Sequence, residues 1–468
     1  MWLPDADARD VLDAGPAAVD SDILDAGVDS APRSAPQVHP DDPTRLAWRG
    51  RTWVPAGYYG GIALHMTGID FAGDFRASND ALLDLLIAGG VGYTRVWASW
   101  GALPSEEGAP EARWDAFVRT PWARTGPGLA VDGEPRLDLE RFEPSYFEEL
   151  ERFVARADAS DIVVQLVLLD CWHASFGRSH GFARLDYFAA ENNVNGLEVP
   201  DEAAWFDVGG AIHAHNLAFV REVVRTVGHH ENLVLETCNE PRPIEPSDPA
   251  RVARAAFHVS IANVIHEEEA RGGFPRHLVV PIDLPEHRSV AGHMTPSNGL
   301  AGEEPLDAMA ARLSGEQRGW GVPLVSDNDC CPGVPDTSIV RRKAWIALLS
   351  GAHVSIFNNE LFRREVQRRP ETLEGIRAVA RTVEVLEALG IDVAGRTPSR
   401  PASGVYMLSG PDGSALLALD DAESIDLGRV SDGPAVLIDP RTGETSAAGH
   451  GPEFRRPSAE DWILWVPR

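Results

Sequence analysis

The segment "DIVVQLVLLD" (residues 161–170) is apolar at every position between its terminal aspartates except Gln165. Side chains alternate between the two faces of a strand, so an apolar run without alternation predicts a strand buried on both faces. Such strands occur in parallel sheets whose faces are covered by helices. Helical patterns flank the segment, in residues 145–160 before it and 209–228 after it. The sequence therefore predicts an α/β fold built around a parallel sheet.

The alternation of strand and helix patterns continues along most of the chain. Eight segments have strand character, and most are followed by a helical pattern: 52–59, 92–99, 161–170, 232–240, 277–284, 289–293, 322–327 and 353–359. The simplest architecture for this order is a (β/α)8 TIM barrel over residues 45–398. A doubly wound open sheet is the alternative, but no glycine-rich phosphate loop follows the first strand pattern, which disfavours it.

The two flanks of the predicted barrel differ from it in composition. In residues 1–44, "DVLDAG" recurs as "DILDAG" within a stretch rich in Asp, Ala, Gly and Pro, which predicts a disordered acidic tether. Such tethers resemble those behind the signal or lipidation site of exported bacterial proteins. We therefore expect an extracellular, periplasmic or surface-tethered protein, with the cytoplasm as the alternative. Residues 399–468 contain short strand patterns between turn residues, which predict a small antiparallel β-sandwich.

The charge and hydropathy of the chain exclude two classes of partner. The 468 residues carry a formal net charge of −29. Nucleic acids and anionic membranes bind basic surfaces, so neither is expected as a partner. No apolar run reaches the length of a membrane span, and we expect no membrane insertion.

The four cysteines do not follow the spacing of a metal site. Cys171, Cys238, Cys330 and Cys331 include no C-x-x-C pair, and no helix pattern has two histidines at metal-binding spacing. The sequence therefore predicts neither a metal nor another cofactor. Cys171 and Cys238 both lie at predicted strand ends and could be neighbours, either as a disulfide or as two buried thiols.

Polar and aromatic residues collect where the predicted strands end, which is where the active sites of (β/α)8 barrels lie. No G-x-S-x-G nucleophile motif is present. Aromatic rings stack on sugars, and paired carboxylates cleave glycosidic bonds, so a carbohydrate is the expected substrate. The candidates at these ends are Arg95, Trp97, Asp170, Trp172, Asn239, Glu240, His293, Asp327, Asn358 and Glu360.

The motif "ETCNEP" (236–241) resembles the acid/base motif of clan A glycoside hydrolases, the group that contains the family 5 cellulases. The resemblance implies that Glu240 is the general acid/base and that Asn239 binds the 2-hydroxyl of the sugar. "VPLVSD" (322–327) matches the strand that ends in the nucleophile of this clan, which implies that role for Asp327. Arg95 matches the arginine that supports the nucleophile. The chain after the seventh strand is also similar to uncharacterised barrel families with a so-called "putative collagen-binding" domain.

Three departures from the clan leave alternatives open. Aspartate stands at 327 where glutamate is usual, His293 stands where a tyrosine is usual, and no aromatic residue ends the eighth strand. Retention of configuration is expected by analogy, but a shorter Asp327 could widen the gap between the carboxylates and permit inversion. Glu360 is the rival nucleophile. A decayed, non-catalytic carbohydrate-binding protein is the alternative function.

The proposed substrate contacts also have structural alternatives. Trp97 and Trp172 are either sugar platforms or core residues. Asp170 either binds substrate or closes the loop after its strand. Arg95 could simply neutralise a buried carboxylate. The predicted substrate-binding set is Arg95, Trp97, Asp170, Trp172, Asn239, His293 and Asn358.

Overall fold

The first elements among the described residues are three short antiparallel strands. The structure is a computed structural model that describes residues 34–59, 74–99, 120–178, 184, 186–239, 248, 250–281, 295–299, 305–329, 336–358, 361 and 364–468. Its first strands are β1 (Gln37–His39), β2 (Asp42–Trp48) and β3 (Arg51–Trp53), which pair in that order.

These strands correct the predicted boundary of the tether at residue 44. The segment 34–44 belongs to the folded unit, because β2 is anchored at both of its ends. Asp42 Oδ2 accepts a hydrogen bond from the backbone of Gly395 at 2.7 Å, and the side chain of Leu46 is fully buried. Sequence patterns alone missed this because the contact that anchors Asp42, with Gly395, lies far away in the chain.

Ten further strands lie within the described residues before the C-terminal region. They are β4 (Ala56–Tyr59), β5 (Tyr93–Trp97), β6 (Trp122–Leu129), β7 (Pro135–Phe142), β8 (Val163–Asp170), β9 (Leu233–Asn239), β10 (Leu278–Val280), β11 (Thr295–Gly299), β12 (Leu324–Asp329) and β13 (His353–Phe357). The helices are α1 (Phe75–Gly89), α2 (Pro144–Asp158), α3 (Glu202–Trp205), α4 (Ala211–Val227), α5 (Ala250–Gly272), α6 (Leu306–Trp320), α7 (Thr337–Leu349), α8 (Arg364–Gln367) and α9 (Pro370–Leu389). None of these helices, within the described ranges, is both long and apolar enough to cross a membrane.

Eight parallel strands form two sheets of four strands each. One sheet has the order β5-β8-β9-β10 and the other the order β4-β13-β12-β11, while β6 and β7 form a separate hairpin. This order and the intervening helices fit a TIM-barrel scaffold. In the described residues, no backbone pairing joins β4 to β5 or β10 to β11. The two strands β4 and β5 are nevertheless close to each other. A side-chain hydrogen bond links them, from the Thr94 hydroxyl to the carbonyl of Tyr58 at 3.2 Å.

Two predicted strands differ from the observed ones. The predicted strand 52–59 is divided into β3 and β4, and the break contains Pro55, which has no N–H to donate to a strand ladder. The predicted sixth strand, 289–293, lies outside the described residues. The strand that pairs beside β12 is β11, at Thr295–Gly299.

An apolar cluster closes the end of the sheets at which the strands begin. Leu46, Trp48 and Trp53 of the N-terminal strands pack there against residues near the start of β5, β8, β9 and β12 and against both ends of the short β10: Tyr93, Val163, Val234, Val325, Leu278 and Val280. We call this group the basal plug. It buries large aromatic and aliphatic surfaces, so it contributes to stability and leaves the opposite edge of the sheets for polar residues.

The C-terminal region is a second β structure that packs on α7. Its strands are β14 (Thr397–Ala402), β15 (Val405–Ser409), β16 (Ala415–Leu419), β17 (Ser424–Asp426), β18 (Ala435–Ile438), β19 (Thr445–Gly449), β20 (Glu453–Arg455) and β21 (Trp462–Val466). Six of them form one antiparallel sheet, and β17 pairs with β20 in a two-stranded ribbon. Ile425 and Phe454 of the ribbon pack on one face of the sheet, so two unequal layers are the part of the predicted β-sandwich that is seen.

Charged pairs fasten this region to α7. Arg341 donates to both carboxylate oxygens of Asp461, at 3.0 and 2.6 Å, and Arg342 does the same to Asp420, at 2.5 and 2.6 Å. Bidentate arginine–carboxylate pairs fix orientation as well as distance. The sheet is therefore held in one orientation against α7.

Substitution of Leu46 by alanine tests the basal plug. The change removes a fully buried side chain and leaves a cavity, so we expect the free energy of unfolding to fall by about 2–5 kcal/mol. Denaturant unfolding of the purified protein measures this loss. Val252→Ala is the matched control, because Val252 is 76% exposed on α5 and its truncation should change stability by no more than about 0.5 kcal/mol. Equal losses in both variants would contradict the plug.

Candidate active site

A buried ion pair crosses the interior of the sheet β5-β8-β9. Arg95 on β5 donates from Nε and Nη2 to the two carboxylate oxygens of Glu236 on β9, at 2.7 and 2.6 Å. Nη2 of Arg95 also donates to Oδ1 of Asn239, at 2.9 Å. Glu236 and Asn239 are fully buried, and Arg95 is 2% exposed. The arginine thus holds two side chains of the C-terminal half of β9 in place, those of Glu236 and Asn239.

Two neutral side chains, those of Gln165 and Tyr93, add hydrogen bonds around the buried ion pair. Gln165 on β8 donates from Nε2 to Glu236 at 2.6 Å, and its Oε1 accepts from the hydroxyl of Tyr93. Burial raises the pKa of Tyr93, so its hydroxyl stays protonated and acts as a donor. A buried charge is tolerated only when its hydrogen-bonding capacity is met, and this chain of donors meets it for Glu236.

Sequence reasoning placed Arg95 at the site but missed Glu236. Of the two roles considered for Arg95, neutralisation of a buried carboxylate is the contact that the structure describes, and Glu236 is the carboxylate. The available signal was a charged residue inside the apolar run "LVLETCN", two positions after the interior residue Val234. Residues two apart in a strand share a face, so Glu236 belongs to the interior.

Aromatic rings cover the guanidinium of Arg95. Its Cζ lies 4.5 Å from the ring centroid of Trp97 and 5.6 Å from that of Tyr59. Cations are attracted to aromatic faces at such distances. Trp97 is 3% exposed, so the structure gives it a core position beside Arg95, and the predicted contact with substrate stays a prediction.

The end of β8 is closed by its own aspartate. Oδ1 of Asp170 accepts from the backbone N–H groups of Trp172, at 3.0 Å, and His173, at 3.4 Å, and Oδ2 pairs with Nδ1 of His173. These bonds begin the π-helical turn His173–Gly177. Loop closure, one of the two roles expected for Asp170, is thus the role that the contacts describe. Trp172 is half-buried, and its ring meets that of His173 edge-on at 5.0 Å.

A disulfide joins the ends of β8 and β9. Cys171 and Cys238 are bonded, with Cα atoms 5.6 Å apart, so the first of the two expected alternatives is the correct one. The indole N–H of Trp205 also donates to Sγ of Cys171 at 3.2 Å. Cys238 directly precedes Asn239, and the crosslink therefore fixes the backbone that leads to Glu240.

The predicted substrate ligand Asn358 makes its hydrogen bonds to Tyr58 and Tyr59 of β4. Its Nδ2 donates to the hydroxyl of Tyr58 at 3.2 Å, and its backbone N–H donates to the carbonyl of Tyr59 at 3.0 Å. Both bonds tie the end of β13 to the end of β4. The structure therefore brings Arg95, Asn239 and Trp97 together and gives Asn358 a place beside Tyr58.

The remaining predicted residues are described in part or lie outside the described ranges. The backbone of Asp327 is part of β12, in register with Ser355 of β13. Glu240, His293 and Glu360 lie outside the described residues.

A second cluster of titratable groups surrounds a cavity beside the end of β8. The cavity has a volume of about 320 Å³, and His173, Arg178, Arg184 and Asp186 contribute to its wall. Burial raises the pKa of Asp186 to about 6, with a smaller raising effect from the Asp170 carboxylate that is opposed by His173 and Arg178. Sequence reasoning missed Asp186, which lies in a loop without a recognisable motif.

Comparison with known proteins adds information on the fold. The chain matches no known protein-family profile and no curated protein sequence. Among solved structures, it resembles a Bacteroides vulgatus protein described as a "putative glycoside hydrolase", at 13% identity over 94% of this chain and 83% of the other, with a TM-score of 0.63. The chain has the fold of that protein.

Two further similar structures are a mannosidase and a mannanase. One is a family 5 mannosidase from Rhizomucor miehei, at 11% identity over 76% of this chain and 99% of the other, with a TM-score of 0.48. The other is an endo-β-1,4-mannanase from Thermotoga petrophila, at 12% identity over 89% of this chain and 91% of the other, with a TM-score of 0.47.

Substitution of Asp186 by asparagine tests the charge state of this cluster. A folded-state pKa of about 6 lies above the ordinary 3.8, so protonation stabilises the fold below pH 4, and this contribution is lost as the pH rises through 6. Asparagine does not ionise, so the variant Asp186→Asn does not lose this stability as the pH rises. Relative to wild type, we expect the variant to gain up to about 3 kcal/mol between pH 4 and pH 8.

Unfolding curves at the two pH values measure this gain. The control is Asp41→Asn, at an exposed aspartate in the turn between β1 and β2. If the stability difference between Asp186→Asn and wild type is the same at pH 4 and pH 8, the buried carboxylate is not responsible.

Proposed function

We propose that the chain is a clan A glycoside hydrolase that cleaves O-glycosidic bonds of an oligo- or polysaccharide with Glu240 and Asp327. The observation that carries the proposal is the hydrogen bonding of the side-chain amide of Asn239. Its Oδ1 accepts from Arg95, and arginine has no acceptor, so the amide orientation is fixed with Nδ2 as a free donor. Among the described residues, this buried Nδ2 has no hydrogen-bond partner.

An unsatisfied buried donor is costly unless a ligand satisfies it. A sugar hydroxyl is an acceptor of the right kind, and the resemblance to the clan assigns the 2-hydroxyl to this asparagine. The proposal therefore gives Asn239 the role of a preorganised substrate ligand, with Arg95 as the positioning residue behind it. Asn239 precedes Glu240 directly, so a sugar held by the amide is within reach of the next side chain.

Glu240 acts as general acid and then as general base in this proposal. Its carboxylic acid donates a proton to the glycosidic oxygen, so the leaving group departs as a neutral alcohol. The resulting carboxylate later removes a proton from the water that attacks the anomeric carbon. Two roles for one group require that it be protonated first and ionised afterwards, as in retaining glycosidases.

Asp327 acts as the nucleophile. Its carboxylate attacks the anomeric carbon as the bond to the leaving oxygen breaks, and it forms a glycosyl ester that water then hydrolyses. The match of "VPLVSD" (322–327) to the nucleophile strand of the clan supports this role. Two inversions at the anomeric carbon give net retention, whereas Asp327 as a base for water would give inversion. Neither step needs a metal or an organic cofactor.

Substitution of Glu240 by glutamine tests the proton donor. The amide keeps the shape of the side chain and removes the transferable proton. For a substrate with a poor leaving group, we expect kcat to fall by roughly 10²–10⁴-fold. Steady-state hydrolysis assays across aryl glycosides and polysaccharides measure the effect.

The control for this experiment is Glu267→Gln on the exposed face of α5, which should leave turnover unchanged. An activity of Glu240→Gln within twofold of wild type would remove Glu240 from the mechanism. If wild type binds sugars but hydrolyses none of the substrates tested, the non-catalytic binding protein replaces the enzyme as the better reading.

Substitution of Asp327 by glycine separates the candidate mechanisms. If Asp327 is the nucleophile, the variant should be inactive, and azide should enter the vacated space and give a glycosyl azide of inverted configuration from an activated substrate. NMR of the first product from wild type should show retained configuration. Inversion in wild type would make Asp327 a base, and loss of activity only in Glu360→Gly would transfer the nucleophile to Glu360.

A further inference from the structure

A cluster of two histidines and one glutamate lies at the edge of the sheets opposite the proposed active site. Glu151 is on α2, and His229 and His230 are in the turn between α4 and β9. That turn precedes β9, whereas Asn239 ends it. The cluster is therefore separated from Asn239 by the full length of the strand, at the face where barrels carry stabilising rather than catalytic groups.

The ligand atoms of the cluster already converge. Nε2 of His230 lies 2.9 Å and Nε2 of His229 lies 3.3 Å from the same oxygen, Oε1 of Glu151. All three candidate ligand atoms lie within 4.8 Å of one another. Ligands of a tetrahedral zinc ion, at 2.0–2.1 Å from the metal, are about 3.3 Å apart. The two imidazoles and the carboxylate thus need only small shifts to surround an ion.

The second carboxylate oxygen of Glu151 is also available to bind a cation. Oε2 of Glu151 is shielded from solvent and, among the described residues, has no hydrogen-bond partner. A carboxylate oxygen in that state favours a cation nearby, because an unmet buried acceptor is costly. The side chain of His229 is 49% exposed and that of His230 is 11% exposed, so an ion could enter from the solvent side.

The turn that carries the histidines is held rigidly. Nδ2 of Asn232 donates to the carbonyl groups of Val154 and Ile162, at 3.3 and 2.9 Å, which ties the turn to the end of α2. Nε2 of His277 donates to the carbonyl of His230 at 2.7 Å, and Nδ1 of His277 is within 2.9 Å of Glu269. Supporting contacts of this kind orient metal ligands and raise affinity.

We propose that Glu151, His229 and His230 bind one divalent transition-metal ion of the zinc class. Imidazole nitrogens select zinc, copper, nickel or cobalt over magnesium and calcium, which prefer sites made of oxygen ligands. Three protein ligands leave at least one position for water. The ion would crosslink α2 to the turn before β9, so its effect is on stability. Sequence spacing gave no sign of the site, because Glu151 is far from the two histidines in the chain.

Titration of the metal-stripped full chain with zinc chloride tests the proposal. Isothermal calorimetry should show one strong site, and zinc should raise the melting temperature whereas magnesium should not. Cobalt should give the visible absorption bands of a four- or five-coordinate ion. The variants His229→Ala and Glu151→Gln should each lower zinc affinity by about tenfold or more, with unchanged circular dichroism.

The matched control is His450→Gln, at an exposed histidine of the C-terminal region, which should leave zinc affinity unchanged. Hydrolysis by the His229→Ala variant should equal that of wild type, so failure of this proposal is distinct from failure of the proposed function. Equal zinc affinity in wild type and His229→Ala would overturn the site. Absence of zinc binding by wild type would mean that the cluster is held by hydrogen bonds alone.

Discussion

The ion pair between Arg95 and Glu236 constrains the strands β5, β8 and β9 of the parallel sheet. Both groups are shielded from water, so each depends on the other and on Gln165 and Asn239 to meet its hydrogen-bonding capacity. Strands β5, β8 and β9 supply these four side chains. A slip of one residue in any of the three strands would move its side chains to the other face and separate the charges. The pair thereby fixes the position of the C-terminal end of β9.

The two ends of the sheets have opposite chemistry, and this divides stability from function. At the beginning of the strands, the basal plug is apolar, with Arg45 and His353 also buried at this end. At their ends, the Arg95 network, the disulfide and the loop closed by Asp170 hold polar groups in defined positions. Preorganised polar groups are what a catalytic site requires, because they need little rearrangement when charge develops. The proposed metal site lies at the basal end, where a crosslink can stiffen the scaffold without touching the substrate.

Local patterns predicted the α/β order and the strands of Arg95 and Asn239, because burial on both faces leaves a local mark in the sequence. Glu236 was not predicted, since its meaning depends on Arg95, which lies 141 residues away in the chain. The pairing of Cys171 with Cys238 stayed open for the same reason, because strand adjacency decides it. The early start of the fold at β1 and β2 was missed because Leu46 finds its partners only in the assembled plug.

Two of the chain's first strands, β2 and β4, contact segments more than 290 residues later in the chain. Tyr58 and Asn358 are 300 residues apart, and Asp42 and Gly395 are 353 residues apart, yet both pairs are in contact. Such long-range contacts slow folding, because the loop between them must close before the contact forms. During synthesis, β2 and β4 leave the ribosome long before β13 exists. The N-terminal strands therefore wait with exposed apolar side chains, which makes this stage of biogenesis the one most open to aggregation or to help from a chaperone.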